Sequence, residues 1–214
     1  MSGKIKGGVY LVVDPSLGLI TLLPKIKAAL KGGIDVIQLW NNWDLVASPE
    51  DFILQICQIS HVYGVPVLIH ERWQLLNDLP LDGIHFDQIP KNWMEIKEKL
   101  SRPFIAGITC GNEKENIIWA LNNALDYISF CSMFPSSTAN SCEIVNPDIV
   151  KETRQKSDIP IFVAGGITPE NIFSLLALGI SGVAVISGIL KAEDPEQAAR
   201  EFKRSLQNKT PYVL

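Results

Sequence analysis

The sequence predicts a single (β/α)8 barrel because strands and helices alternate regularly along its 214 residues. About eight short runs are apolar at successive positions, which is typical of parallel strands covered by helices on both faces. This number of strands favours closure into a barrel, with the whole chain, residues 1–214, as one domain. An open doubly wound sheet is the alternative, but the first strand–helix turn lacks the GxGxxG motif.

The predicted elements follow from local signals. The strands are the short apolar runs, at residues 9–13, 36–39, 65–69, 83–86, 104–109, 127–130, 161–164 and 183–186. The helices repeat apolar residues at helical spacing, at residues 19–30, 49–63, 73–76, 93–100, 113–124, 147–155 and 195–206. Gly32 and Gly33 end the first helix, and Pro49 suits the first turn of the second. A further helix is predicted after the seventh strand, with Thr168 as N-cap and Pro169 at its first position.

Composition and charge exclude several classes of protein. The net charge of −4 argues against nucleic acid as a partner, since proteins that bind it normally carry a basic surface. No apolar run reaches transmembrane length and the first residues lack a signal-peptide core, so we expect no membrane association. The four cysteines show no CxxC spacing and are typical of reduced thiols in a cytoplasmic protein: Cys57, Cys110, Cys131 and Cys142.

Two consecutive strand ends near the C-terminus carry small residues. Gly165 and Gly166 follow the seventh strand, and Ser187 and Gly188 follow the eighth. Glycine lets the backbone approach a ligand closely, and amide groups near the start of a helix favour anions. Because the phosphate site of a (β/α)8 barrel usually lies after strands 7 and 8, these residues predict a phosphate cradle. In the alternative interpretation the glycines only close tight turns.

The other strand ends supply polar groups but few charges. Side chains expected at the C-terminal mouth, where function resides in this fold, are Gln38, Trp40, His70, Glu71, His85 and Thr109. His70 and Glu71 are candidates for an acid–base pair or a metal site, and the alternative is a hydrogen-bonded lining role for His70. Lysine is absent from these strand ends, and Arg72 is the one cation close behind a strand.

Several side chains near the mouth allow more than one interpretation. Trp40 and Trp43 either fill space left by missing charges, stack on a heteroaromatic ring or pack in the core. His85 is a secondary candidate whose commoner role is structural. Cys110 and Cys131 have no adjacent basic group to activate a thiol, so we expect them to be inert. Residues 132–141 form a polar loop, a candidate lid whose hydroxyl groups could reach a phosphate.

A family pattern runs through nearly the whole chain. Its segments are YLVVD at 10–14, GGIDVIQL at 32–39, YGVP at 63–66, DGIH at 82–85, DYI at 126–128, FP at 134–135, AGGITPEN at 164–171 and GVAVIS at 182–187. In these segments the chain resembles the thiamine phosphate synthase/thiazole tautomerase family of (β/α)8 barrels. The resemblance implies a transferase that joins hydroxymethylpyrimidine diphosphate to a thiazole phosphate, with Mg²⁺ and cationic side chains neutralising the departing diphosphate. Relatives of the synthases isomerise the thiazole phosphate instead.

The thiazole-phosphate half of the family pattern is present. The residues that match its phosphate cradle are Gly165, Gly166, Ile186 and Ser187, with Gly188 beside them. By resemblance, Gln38 stands at a position that contacts the pyrimidine. Ser136 and Thr138 keep the hydroxyl groups of a family loop, so the resemblance implies that they contact the substrate.

The diphosphate half of the pattern has lost its cations. The family's Gln-Leu-Arg-x-Lys reads QLWNN at 38–42, so Trp40 and Asn42 replace both basic residues. Its Thr-x-Thr-Lys loop reads SSTA at 136–139, where Ala139 replaces a third.

The metal ligands of the pattern are also changed. The family's Asn-Asp reads His70-Glu71, and its Gly-Gln-x-Asp reads DQIP at 87–90, so Pro90 replaces an aspartate. Glu71 is therefore the one candidate ligand for Mg²⁺, at a weak site, and no other cofactor is expected. The histidine that tautomerase relatives use after strand 5 is Gly111 here.

These substitutions leave two hypotheses from different classes. Loss of three cations and one metal ligand should remove more than about 6 kcal/mol of transition-state stabilisation. In the first hypothesis the chain binds a small phosphorylated heterocycle, thiazole phosphate or thiamine phosphate, without rapid turnover. The alternative is an active synthase or variant transferase that uses Glu71, Arg72 and the loop hydroxyl groups. A homodimer is a candidate assembly in both.

Overall fold

Eight parallel strands close into a barrel in the computed structural model, which describes residues 5–136 and 143–208. The strands are β1 Gly8–Val13, β2 Val36–Leu39, β3 Val67–His70, β4 Gly83–Phe86, β5 Ile105–Cys110, β6 Tyr127–Cys131, β7 Ile161–Ala164 and β8 Gly182–Val185. Each strand pairs with its neighbours in sequence, and β1 also pairs with β8. The predicted barrel is confirmed, and the open doubly wound sheet is excluded. The strands are almost wholly buried, which explains why they are apolar at successive positions.

Helices connect successive strands around the outside of the barrel. They are α1 Leu19–Gly32, α2 Pro49–His61, α3 Trp93–Lys99, α4 Glu115–Asn122, α5 Pro147–Lys156, α6 Ile172–Leu176, α7 Ser187–Leu190 and α8 Pro195–Gln207. The segment Trp73–Leu76 is a 3-10 turn. Gly33 ends α1 as predicted, because its φ of +92° lets its amide reach the carbonyl groups of Ala29 and Leu30. None of the helices in the described ranges is long and apolar enough to cross a membrane.

The helix after β7 begins later than the sequence predicts. Thr168 and Pro169 are not its first residues, since α6 starts at Ile172. The reason lies in the Asn171 side chain, whose Oδ1 accepts the Thr168 amide at 2.9 Å and whose Nδ2 donates to the Gly166 carbonyl at 2.8 Å. Asn171 therefore holds the segment between β7 and α6 as a tight turn, with Gly166 at its start.

Aromatic side chains fill the barrel below its C-terminal mouth. Tyr10, Tyr127 and Phe162 pack ring against ring, with centroids 5.3–5.8 Å apart. Gly107 on β5 leaves room for them, since an added Cβ would overlap the Tyr127 ring. Both phenol groups bond to polar side chains at the strand ends, so this aromatic layer forms the floor of the mouth.

Candidate functional site

A cavity of about 340 Å³ opens at the C-terminal mouth of the barrel. Most residues predicted for the site line it: Gln38, Trp40, His70, His85, Thr109, Ser136, Gly165, Gly166, Ile186, Ser187 and Gly188. Glu71 is not among the lining residues, and Thr138 lies outside the described part of the chain. The volume is at the lower end of the range for small-molecule sites.

The cradle side of the cavity is built from backbone. Gly165 and Gly166 have φ angles of +87° and +63°, and a Cβ added to Gly166 would lie 2.6 Å from the Pro135 carbonyl oxygen. Glycine is therefore required by both conformation and space. Ser187 and Gly188 open α7 directly after β8, on the neighbouring strand end. Within residues 5–136 and 143–208, no lysine or arginine lines this cavity.

The loop after β6 begins as part of the cradle. The Met133 amide donates to the Ala164 carbonyl at 2.8 Å, and the Phe134 amide donates to the Gly165 carbonyl at 3.1 Å. The Ser132 hydroxyl, which is buried, donates to the Phe134 carbonyl at 3.0 Å. The first residues of the predicted lid are thus fixed against β7. Residues 137–142 lie outside the described ranges.

A hydrogen-bond chain crosses the floor of the mouth from β2 to the end of β4. Its members, in order, are Gln38, Tyr10, Tyr127, His85, Thr109 and Asp87. On the β2 side the Tyr10 hydroxyl bonds Gln38 Oε1 at 2.6 Å, and the two tyrosine hydroxyl groups are 2.9 Å apart. The hydrogen-bond chain therefore supplies the partners that these buried phenol groups need, as is usual for tyrosines in a core.

The β4 side of the hydrogen-bond chain uses both nitrogens of His85. Nδ1 lies 2.7 Å from the Tyr127 hydroxyl, and Nε2 lies 2.9 Å from Thr109 Oγ1. Thr109 Oγ1 in turn donates to Asp87 Oδ1 at 3.1 Å. Burial and the neighbouring His70 together lower the pKa of His85 to about 3, against an opposing pull from Asp87. His85 is therefore a neutral, hydrogen-bonded lining residue at physiological pH.

His70 faces Asp87 across the β3 and β4 strand ends. Its Nδ1 accepts the Asn41 amide at 3.3 Å, so Nε2 carries the proton of the neutral ring. Nε2 lies 3.1 Å from Asp87 Oδ2, so the buried nitrogen faces this carboxylate directly. Burial tends to raise the pKa of the Asp87 carboxyl, yet His70, His85 and Thr109 outweigh it and lower that pKa. Asp87 is thus ionised at neutral pH.

The predicted partnership of His70 with Glu71 is replaced by one with Asp87. Glu71 has a φ of +64°, and its Oε1 accepts the Asp87 amide at 2.7 Å. This turn directs the Glu71 carboxylate to backbone, where it positions Asp87. No group of three or more histidine, cysteine, aspartate or glutamate side chains that could hold a metal occurs in the described ranges.

Of the other candidates predicted from the sequence, some line the cavity and others have structural contacts elsewhere. Trp40 lines the cavity, whereas Trp43 is buried and packs edge-on against Phe52 with centroids 5.7 Å apart. Arg72 donates from Nε to Asn41 Oδ1 at 2.8 Å, its guanidinium stands 5.6 Å from the Trp43 ring centroid, and it does not line the cavity. Burial raises the pKa of the Cys110 thiol to about 12, in keeping with an inert role.

Two residues of the site were missed by sequence reasoning, and a third, Asp87, was placed at a strand end but not singled out as a site residue. Tyr10 and Tyr127 lie within apolar strands, and only their hydroxyl groups signalled that a buried polar partner was needed. Asp87 follows β4 and so stood at a functional position of the fold. The signal available in the sequence was the negative charge of Asp87 at a mouth where cations are absent from the strand ends.

The buried histidine predicts a pH-dependent stability. The pKa of His85 is about 3 in the folded chain and about 6.5 when unfolded, so the unfolded chain binds more protons between these values. Stability should therefore be full above pH 6.5 and fall as the pH decreases, by up to about 1.4 kcal/mol per unit. Urea denaturation at pH 7 and pH 4.5 measures this. In His85→Gln the pH dependence should be weaker, and an unchanged slope would contradict the assignment.

Comparison with known proteins adds to this geometry. The sequence matches the family model of thiamine monophosphate synthase over residues 9–189. It is 31% identical over 216 residues to the thiamine-phosphate synthase of Thermoplasma acidophilum, covering 100% of this chain and 98% of that protein. It is 29% identical over 210 residues to the thiamine-phosphate synthase of Nitrosococcus oceani, covering 95% and 94%. The thiamine phosphate pyrophosphorylase of Pyrococcus furiosus shares the fold, with a TM-score of 0.78 at 22% identity over 94% of this chain and 96% of that one.

Proposed function

The chain belongs to the thiamine monophosphate synthase family of thiamine biosynthesis, and we propose that it binds thiazole phosphate or thiamine phosphate without rapid synthase turnover. The observation that carries the proposal is a cavity with a backbone phosphate cradle but, among its described lining residues, no lysine or arginine. One phosphate can be held by neutral amide donors. A departing diphosphate develops far more charge, which those donors would have to stabilise alone.

The cradle supports binding of a single phosphate. Gly165 and Gly166 expose backbone through positive φ angles, and Asn171 holds the turn that follows them. Ser187 and Gly188 present a second strand end beside the first. Donors fixed in this way lose little freedom when the ligand binds, which favours affinity.

The diphosphate side supports slow or absent turnover. Trp40 lines the cavity, where the family pattern has a cation. Asn42, at the position of a second cation, donates from Nδ2 to Ser16 Oγ at 3.2 Å. Ala139, at the third, lies outside the described residues. Arg72, the nearest replacement, is engaged with Asn41 and Trp43.

The residues at the mouth do not fit a magnesium–diphosphate site. Glu71 Oε1 accepts the Asp87 amide, and Pro90 offers no ligand atom. Both Asp87 oxygens already face neighbours, Thr109 and His70. We therefore assign no step of the reaction to a metal. We also propose a cytoplasmic location, because the sequence predicts that the cysteines are reduced.

A thermal-shift panel tests the proposal. Thiazole phosphate and thiamine phosphate at one hundred times their Kd should each stabilise the protein by about 2.7 kcal/mol. For a domain of this size that raises Tm by roughly 5–10 °C. Hydroxymethylpyrimidine diphosphate, and pyrophosphate with Mg²⁺, should give little or no shift.

The same panel separates the alternative function. The largest shift with hydroxymethylpyrimidine diphosphate would favour an active synthase or variant transferase. So would thiamine phosphate formation at ordinary enzyme rates, about 1 s⁻¹ or faster, when both substrates are supplied. Glu71→Gln and Arg72→Gln variants would then show whether these two side chains carry the activity.

A further inference from the structure

The two strands that carry the phosphate cradle are joined by Ser181 at their base, at the N-terminal end of the barrel. The Ser181 amide donates to the Ile161 carbonyl at 2.7 Å, and the Ser181 hydroxyl oxygen accepts the Ile161 amide at 3.1 Å. The same position before β2, β4 and β6 is an aspartate whose Oδ2 accepts an amide of the preceding strand at 2.8–2.9 Å: Asp35, Asp82 and Asp126. The pair β7–β8 therefore has a neutral hydroxyl group where the other three pairs have a carboxylate.

Arg154, on α5, adds further hydrogen bonds at this base. Its Nε donates to the carbonyl of Gly179, in the segment that enters β8, at 2.8 Å. Its Nη1 and Nη2 donate to the carbonyl groups of Ser157 and Ile159, in the segment that enters β7, at 3.0 and 2.7 Å. Nη2 also donates to Ser181 Oγ at 3.3 Å. One guanidinium group thus joins the entrances of both strands.

The position of the Arg154 side chain is closely defined. A guanidinium group is planar and directs its donors along fixed directions, so four acceptors determine both its position and its orientation. Gly179 leaves room for the side chain, since a Cβ added there would lie 2.6 Å from Arg154 Cγ. Lysine has a single terminal nitrogen and cannot reproduce the contacts with both strand entrances.

The base of β7 and β8 bears on the geometry of the cradle at their other ends. Each strand has only four residues, Ile161–Ala164 and Gly182–Val185, so the cradle lies roughly 13 Å from the base. The strands pair directly along this length, as far as Ala164 opposite Ala184. Because the cradle takes its backbone groups from both strand ends, a shift of one strand against the other would separate groups that must contact the same phosphate.

We propose that Arg154 is a positioning residue of the phosphate cradle, which acts from the opposite end of the barrel by fixing the entrances of β7 and β8 relative to each other. The inference rests on the proposed function and adds to it a residue outside the site. Arg154 does not line the cavity, so its effect on the affinity for phosphate must pass through the two strands.

Calorimetry with inorganic phosphate and thiamine phosphate tests Arg154 against a matched arginine. Arg102 donates four comparable hydrogen bonds before β4, across the ring from β8, to the carbonyl groups of Leu76, Leu79 and Leu81. Arg154→Lys should weaken the binding of both ligands by about tenfold, whereas Arg102→Lys should leave their affinity within about twofold of the wild-type value. Both variants keep the positive charge, so long-range attraction of phosphate cannot cause a difference between them.

Hydrogen exchange of the ligand-free protein gives a second measurement. Arg154→Lys should accelerate amide exchange by about tenfold in β7, β8 and the turns that follow them, because these strands open more often. Arg102→Lys should accelerate exchange around β4 instead. Ser181→Ala removes an acceptor shared by Arg154 Nη2 and the Ile161 amide, and it should change affinity and exchange in the same direction as Arg154→Lys.

The outcomes separate the positioning role from the proposed function. Equal losses of phosphate affinity in Arg154→Lys and Arg102→Lys would overturn the positioning role, and so would unchanged affinity and exchange in Arg154→Lys. If circular dichroism shows that Arg154→Lys does not fold, Ser181→Ala supplies the same comparison. If the wild-type protein binds neither ligand, the proposed function fails. Exchange in β7 and β8 then decides the role of Arg154, which acceleration confined to the Arg154 variant would support and equal exchange in both arginine variants would overturn.

Discussion

Replacement of Gly107 by alanine should destabilise the barrel by about 3 kcal/mol or more. Gly107 lies on β5 against the Tyr127 ring, and an added Cβ would overlap Cζ and Cε1 and stand 2.6 Å from Cε2. The ring cannot retreat, because Tyr127 is fully buried between Tyr10 and Phe162 and its hydroxyl bonds His85. The substitution therefore combines overpacking with loss of a buried hydrogen bond.

Urea denaturation with Gly111→Ala as the matched variant measures this effect. Gly111 follows the same strand, and an added Cβ there would meet no heavy atom within 4 Å. The free energy of unfolding of Gly111→Ala should stay within about 0.5 kcal/mol of the wild-type value, as for most substitutions without steric conflict. A Gly107→Ala protein as stable as Gly111→Ala would show that the aromatic layer can yield, contrary to the packing described.

The Gly166→Asp variant should lose at least about one hundredfold in affinity for a phosphorylated ligand. The new carboxylate would stand in the cradle and repel the phosphate, and its Cβ would lie 2.6 Å from the Pro135 carbonyl oxygen. Aspartate tolerates a φ near +63° better than most residues, so the loss should come from the site rather than from backbone conformation alone. Calorimetry with thiamine phosphate gives the affinity, and circular dichroism verifies the fold.

Two further variants make the cradle test decisive. Ser187→Asp adds the same charge on the neighbouring strand end, where no positive φ is needed, and should weaken binding by a similar factor. Gly64→Asp places aspartate at a φ of +68° with no heavy atom within 4 Å of its Cβ, near the opposite end of the barrel. It should bind normally. Unchanged affinity in both cradle variants would exclude the ends of β7 and β8 as the phosphate site.

The sequence was informative wherever the signal was local. Apolar runs and glycines predicted the strand ends, and Gly165 and Gly166 followed β7 as expected because strand and turn are adjacent in sequence. The start of α6 was not predictable in the same way, since the Asn171 side chain bonds the turn before it.

Contacts between residues at different strand ends could not be predicted from local sequence patterns. His70 meets Asp87 because β3 and β4 pair with His70 opposite His85, and because Glu71 turns at positive φ. Neither the register nor that turn can be deduced from the adjacent letters H and E. The same limit applies to Trp43, whose burial against Phe52 depends on how α2 packs.

The hydrogen-bond chain across the mouth has fewer protons than contacts, so the donors and acceptors at its two ends depend on each other. It contains five contacts between Gln38 and Asp87. With Asp87 ionised and His85 neutral, four groups supply one proton each: Tyr10, Tyr127, His85 and Thr109. One contact is left without a proton. Thr109 donates to Asp87, His85 donates to Thr109, Tyr127 donates to His85 and Tyr10 donates to Gln38 Oε1. The contact without a proton is therefore the one between the two tyrosine hydroxyl groups.

Two changes restore the balance. Rotation of the Gln38 amide would place its NH₂ group against Tyr10, whose hydroxyl could then donate to Tyr127. Alternatively, a proton on Asp87 would reverse the contacts from Asp87 to Tyr127, so that Tyr127 donates to Tyr10 and Tyr10 still donates to Gln38 Oε1. The polarity of an amide on β2 is thereby set by the charge of a carboxylate beyond β4, with no movement of the backbone. A ligand that gives a proton to Asp87 would consequently favour the arrangement in which Gln38 Oε1 faces Tyr10 and the Gln38 NH₂ group faces away from it.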